Sequence, residues 1–226
     1  MKIDIWSDVV CPFCYIGKAN LDAALKETGI DADVRHMAFR LQPGQQPTLV
    51  DDMLAKKYGL TGQAAAQQQQ RVVAMAAEAG LDFHLDGTVI GDTGDAHRLI
   101  KFAGSQGNAM AMLERLYRAY FSEHKSVLDR DSLVALAEEV GLDGDKARAA
   151  LASDAFVQEV GNDQRFADSL NIRGVPFVVI DPGADAQKYA VSGAQPVAAF
   201  IQALRTASPA ITTLAEGDAC GIDGCD

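Results

Sequence analysis

Lys2-Ile3-Asp4-Ile5-Trp6-Ser7-Asp8-Val9-Val10-Cys11-Pro12-Phe13-Cys14-Tyr15-Ile16-Gly17 is the stretch from which the fold of this chain follows. It opens with a short apolar run, Ile3-Asp4-Ile5-Trp6, that reads as a strand, and beyond it Gly17 to Lys26 reads as a helix. Between the two stands Cys11-Pro12-Phe13-Cys14. Two thiols at this spacing close a small disulfide ring without unwinding a helix. The first sulfur falls at the helix N-terminus, where unsatisfied N–H groups and the macrodipole favour a thiolate. Pro12 falls near the first helical turn, where its missing N–H costs nothing. An isolated Cys-x-x-Cys reads equally as a redox pair or as half of a zinc site, and a structural disulfide or two ordinary cysteines are the blander readings. The strand-to-helix setting favours redox chemistry.

The rest of the composition narrows the class. A chain of 226 residues can bury a full core, either as one large domain or as a small domain carrying an insertion. Apolar residues are 48% and charged residues 23%. No run approaches the roughly 18 apolar residues that cross a bilayer, so no membrane partner is expected. Met1-Lys2-Ile3-Asp4 enters a strand at once and leaves no room for a signal peptide, so the expected location is cytoplasmic. A net charge of −11 would repel the phosphates of nucleic acid and argues against it as a partner. The four cysteines are too few for a disulfide scaffold and come in two pairs, 11 with 14 and 220 with 225. In a cytosolic chain such pairs serve redox or metal chemistry more often than stapling.

Working outward, the spacing predicts a helix over roughly 12–28 ending at Gly29, then a strand over Val34–Phe39, an opening suited to a parallel β-α-β unit. From about 49 to 172 the pattern is helical. Ala109, Leu113, Leu116, Tyr117, Tyr120 and Phe121 recur at helical spacing, as do Leu133, Leu136, Ala137 and Val140, with Asp129 as the cap and Gly141 as the stop. A further helix from near Ser153 is expected to bury Phe156, Val157, Val160 and Leu170. The Gln67–Gln70 tract reads as an exposed helical face. Phe177–Ile180 and Lys188–Ser192 then read as a hairpin around Asp181-Pro182-Gly183, and Pro196 opens a last helix through Leu204. The expected architecture is α/β: residues 1–48 and 173–206 form one discontinuous four-stranded core, residues 49–172 a helical insertion domain, and residues 207–226 a tail.

The order β-α-β, helical block, β-β-α, with Cys-x-x-Cys after the first strand, resembles the thioredoxin fold, and the position of the block resembles its DsbA-type branch. Ser7–Gly17, Asp95-Ala96-His97-Arg98-Leu99, Gly174-Val175-Pro176-Phe177 and Ser192-Gly193-Ala194-Gln195-Pro196, in this order, resemble the FrnE-like subgroup of cytosolic DsbA-family oxidoreductases over about residues 2–205. The resemblance implies a thiol-disulfide oxidoreductase, reductase or isomerase, acting on disulfide- or dithiol-bearing protein substrates. It implies no cofactor beyond glutathione as a redox partner, and no resident metal. Cys11 would be the nucleophile that forms a mixed disulfide, and Cys14 would resolve it. The direction follows the reduction potential, where about 30 mV corresponds to about 1.4 kcal/mol for a two-electron couple.

The same resemblance assigns the neighbouring positions. Pro12 and Phe13 would tune the pair and, with Val175 and His97, bind the substrate. DsbA-type oxidants often carry a histidine there, which Phe13 cannot imitate, and an inward Asp8 would oppose the thiolate, so a less oxidising couple is implied. Pro176 would be a cis-proline facing the dithiol, against the blander reading of a proline at the first position of a strand. It would hold Val175 with its backbone groups free to pair an extended substrate segment. His97 would orient a loop or contact a small substrate, and a capping or core role is the bland alternative. His36, His84 and His124 show no metal spacing.

Cys220-Gly221-Ile222-Asp223-Gly224-Cys225 lies outside the common core. Its glycines permit the tight ring of a Cys-x4-Cys disulfide, and an accessory redox pair exchanging with Cys11–Cys14 is the favoured reading. A zinc site built from Cys11, Cys14, Cys220 and Cys225 and a tail with two idle thiols are the rivals. For the whole chain the competing functions are a glutathione-dependent small-molecule transferase or isomerase of the kappa-class type, and a thiolate zinc-binding stress protein. Kappa-class relatives typically carry serine where Cys11 stands and have no second cysteine, so the intact pair disfavours that reading. Oligomeric state is not legible from the sequence.

Overall fold

The computed structural model describes residues 1–183 and 186–208. Strand β1 (Lys2–Ser7) pairs parallel with β2 (Asp33–Ala38), and between them runs α1 (Pro12–Thr28). Gly29 ends α1 in the left-handed conformation, φ 65°, its N–H donating to the Leu25 carbonyl, as a C-terminal glycine allows. The chain then leaves the sheet. Strand β3 (Thr48–Leu49) leads into α2 (Val50–Tyr58) and α3 (Gly62–Glu78), and β4 (Val89–Ile90) pairs antiparallel with β3. Helices α4 (Gly94–Gly104), α5 (Ala109–Phe121), α6 (Arg130–Glu139), α7 (Gly144–Ala152) and α8 (Val157–Ser169) follow. The chain returns as β5 (Phe177–Asp181), antiparallel to β1, then β6 (Tyr189–Ser192), antiparallel to β5, and α9 (Val197–Ala207). The sheet order is β2-β1-β5-β6, a mixed α/β thioredoxin fold with a helical insertion between its second and third sheet strands.

Alternation along the strands decides what each sheet face meets. Ile3 and Ile5 of β1 with Val178 and Ile180 of β5 point to one face, where Leu21 and Ala24 of α1 and Phe200 and Leu204 of α9 cover them. Trp6 points to the other face and packs with Phe39, Ala167 and Ile172, its indole N–H donating to the Asp163 carbonyl at 3.2 Å. Asp163, on α8, also accepts the Ala38 N–H at 2.7 Å and pairs with Lys101 of α4. One buried carboxylate thus ties the end of β2 to two insertion helices.

The insertion differs from its expected form in three places. It contains the β3–β4 ribbon, too short to leave an alternation pattern. Helix α7, capped by Asp143 accepting the Lys146 N–H at 3.0 Å, lies in a stretch assigned no separate helix. Helix α8 starts at Val157, after Phe156 at φ 63°, so Val160 is buried while Val157 and Leu170 are 49% and 45% exposed. The left-handed residue rotates the start of the helix, so only part of the expected apolar stripe faces inward.

Candidate active site

The turn Asp8-Val9-Val10 delivers the chain from the carboxyl end of β1 to the start of α1. Cys11 is the N-cap residue, φ −92° and ψ 112°, with Pro12 at the first helical position. Its N–H donates to the Asp8 carbonyl at 3.1 Å, and its own carbonyl accepts the Cys14 N–H at 3.0 Å. Cys14 lies one turn in. Cys11 is 5% exposed and Cys14 fully buried. Burial pushes the Cys14 thiol well above its ordinary value, and the adjacent Cys11 sulfur pushes the same way.

The loop before β5 faces this turn. The Val175–Pro176 peptide bond is cis, and the Cys11 Sγ lies 3.8 Å from the Val175 carbonyl oxygen. Pro176 is buried against α1 so closely that a Cβ on Gly17 would stand 2.9 Å from its Cγ. Gly17 therefore sets the distance between the dithiol helix and this loop. Val175 is half-buried at the edge.

Beneath the dithiol the insertion supplies the floor. Cys14, Tyr15 and Ile16 share one core with Leu99 of α4, Leu113 and Tyr117 of α5 and Leu133 of α6. Tyr15 stacks on Tyr117, ring centroids 4.7 Å apart, and its hydroxyl donates to Glu114 at 2.6 Å. Tyr117 is completely buried, and desolvation, then the neighbouring Cys14, raises its phenol well above the ordinary range.

Asp8 points inward and is 0% exposed. Its Oδ2 accepts the Leu41 N–H at 2.8 Å, and its Oδ1 stands 3.3 Å from Nε2 of His97. His97, also 0% exposed, stacks on His36 at 5.3 Å. Burial, then His97 and Lys101, pushes His36 well below its ordinary value and keeps it neutral at pH 7. His97 therefore meets Asp8 and a second imidazole in the interior, with no surface of its own exposed. Sequence reading placed His97 in a functional segment but gave no reason to join it to Asp8 or His36, because no local pattern links strand ends to a helix far along the chain.

Pro12 and Phe13 are half-buried and, with Cys11, form one end of an apolar cavity of about 500 Å³ walled by α2 and α3. Cys220 and Cys225 lie outside the described residues. Among the described residues no group of three or more His, Cys, Asp or Glu side chains is arranged to hold a metal ion.

A cysteine pair at the N-terminus of the first thioredoxin helix, opposite a cis-proline loop and backed by an inserted helical block, defines a thioredoxin-fold dithiol protein. The chain belongs to the DSBA-like thioredoxin domain family, whose model matches residues 2–205. A probable DsbA oxidoreductase of Streptomyces coelicolor is 40% identical, over 100% of this chain and 98% of its own, with a TM-score of 0.86. YwbO of Bacillus subtilis is 32% identical over 193 residues, 81% of this chain and 90% of YwbO. The cytosolic disulfide reductase DsbM of Pseudomonas aeruginosa shares the fold at 20% identity and TM-score 0.64, over 91% of this chain and 98% of its own. Among the described residues no helix is long and apolar enough to cross a membrane.

Proposed function

We propose that this chain exchanges disulfides with protein substrates through Cys11 and Cys14, as a cytoplasmic reductase or isomerase of the FrnE-like kind. The observation that carries the reading is the placement of Cys11 at the helix N-terminus, 3.8 Å from the Val175 carbonyl, with Cys14 buried behind it. The Cys11 thiolate attacks a substrate disulfide, the attacked bond breaks, and the departing sulfur leaves as a thiolate. Cys14 then loses its proton and displaces the second substrate sulfur from Cys11, leaving the Cys11–Cys14 disulfide. Val175, at the edge before the cis-proline, offers its backbone to an extended segment of the substrate. The side chains of Pro12 and Phe13 present no charge or hydrogen-bond donor to the thiolate, which favours a reducing couple. Glutathione is the redox partner that would regenerate the dithiol, and Cys220–Cys225 the accessory pair.

The test is the redox state of each cysteine across glutathione buffers, by acid trapping and peptide mapping. Reversible joint titration of Cys11 and Cys14 is expected, together with accumulation of a Cys11-linked mixed disulfide in Cys14→Ser. Thiols that stay reduced across the whole range, or a trapped adduct on another cysteine, would overturn it.

A further inference from the structure

The cavity beside Cys11 is lined by Val10, Cys11, Pro12 and Phe13 at one end and by Val50, Met53 and Leu54 of α2 along one wall. Helix α2 buries none of its residues fully: Val50 and Met53 only partly pack against the core, and with Leu54 they line this space. A helix normally gains its place by burying such a stripe. Here that burial is incomplete, and about 500 Å³ of largely apolar volume lies beside the stripe, a size that holds a small organic molecule. Val175 and Pro176 do not line it. Cys11 is thus approached from two sides, from the cis-proline edge, which suits an extended peptide, and from the cavity, which is walled by helices.

Its charge is unlike that of the molecule. The chain carries 31 acidic against 20 basic residues, yet among the described residues the cavity wall holds no carboxylate, and Lys57 is its single charged residue. Lys57 is exposed, with its Nζ 5.5 Å above the Tyr58 ring, where it attracts an anion without closing the space. Gln42, Gln68, Gln69 and Thr88 add neutral hydrogen-bonding groups.

We infer that this cavity is a second substrate seat, for low-molecular-weight disulfides with an apolar, preferably aromatic body and an anionic group, reduced by Cys11 and Cys14 without passing the peptide edge. The inference rests on the exchange reading above and names a further substrate class for the same dithiol. The Cys11 thiolate attacks one sulfur of the bound disulfide and one thiolate departs with the bonding electron pair. Cys14, deprotonated, then attacks the Cys11 sulfur and releases the second thiolate. One ligand disulfide is reduced to two thiols, and the protein dithiol, oxidised by the same two electrons, becomes the Cys11–Cys14 disulfide.

The experiment is single-turnover kinetics on the reduced full-length chain carrying Cys220→Ser and Cys225→Ser, so that Cys11 and Cys14 alone report. Three probes are compared: 5,5′-dithiobis(2-nitrobenzoate), aromatic and anionic; 4,4′-dithiodipyridine, aromatic and neutral; and bis(2-hydroxyethyl) disulfide, small and polar. Met53→Trp, which fills the cavity, is expected to lower both aromatic rates relative to the hydroxyethyl rate by about tenfold, a loss of about 1.4 kcal/mol. Lys57→Glu, at an exposed position that does not threaten folding, is expected to lower the nitrobenzoate rate relative to the dipyridine rate by at least about tenfold at low salt. The seat is disproved if neither ratio moves. It is also disproved if Met53→Trp slows all three probes equally while Lys57→Glu leaves the ratios as they were. Failure of every probe to form the Cys11–Cys14 disulfide overturns the exchange reading itself.

Discussion

Cys14 is fully buried behind Cys11, and burial keeps its thiol protonated well above the ordinary range. In the reduced native chain, iodoacetamide near neutral pH is therefore expected to label Cys11 and spare Cys14, as read by peptide mass mapping. Equal labelling of the two would mean that Cys14 is not held as described. Gly17 makes a second prediction at this scale. Its Cβ would stand 2.9 Å from Pro176, and a ring packed between helix and sheet cannot swing aside as a long side chain does. Gly17→Ala is expected to cost about 1–3 kcal/mol by overpacking and to slow disulfide exchange as the loop moves off Cys11. Denaturant titration and exchange kinetics on the same variant check both, and a fully active, equally stable alanine variant would remove Gly17 from the site. Asp8, Cys11 and Gly17 all stand in the opening stretch, but only the cysteine spacing announced its chemistry. The inward turn of Asp8 and the closeness of Gly17 to Pro176 depend on residues far along the chain.

Helix α5 carries the charge network that fastens the insertion to itself. Arg115, whose side chain is 4% exposed, donates to Glu123 at 3.1 and 2.6 Å and to Glu139 of α6 at 2.6 Å. The Arg115 guanidinium, followed by Lys125, holds the Glu123 carboxyl down to about 2, from an ordinary value of 4.5. A carboxylate depressed in the folded state adds stability that is present above its unfolded value and lost as pH falls through the folded one. The window here is from about 4.5 down to about 2. Glu123→Gln is expected to lower Tm near neutral pH and to flatten its decline through that window, measured by calorimetry against the parent. Parallel decline of the two proteins would show that the network does not govern acid stability. Helices α1 and α6 were legible because capping residues and apolar spacing agree: Asp129 accepts the Ser132 N–H at 2.9 Å, as its position before Arg130 requires. The β3–β4 ribbon was not, since two residues per strand are too few to show a period.

Among the described residues the molecule as a whole has three apolar clusters, and one of them joins the dithiol helix to the insertion. Cys14, Tyr15 and Ile16 of α1 pack among Leu99, Leu113, Leu116 and Leu133, so the start of the dithiol helix is held by the helical block, while Leu21 and Ala24 further along it pack on the sheet. Unfolding in denaturant is expected to be a single transition, with loss of helix signal and exposure of Cys14 to alkylation coinciding. Cys14 becoming reactive before the helices melt would separate the two units. The sequence alone determined the strand feeding Cys-Pro-Phe-Cys, the helix closed by Gly29, the terminal hairpin and helix, and the presence of an insertion. These rest on local spacing, capping and turn chemistry, which act over a few residues. Tertiary structure alone decided that Asp8 meets His97, that His97 stacks on His36, that Pro176 rests on Gly17, and that α2 leaves a cavity beside Cys11. Periodicity tells which face of an element is apolar; only packing decides which partner, or what empty space, that face meets.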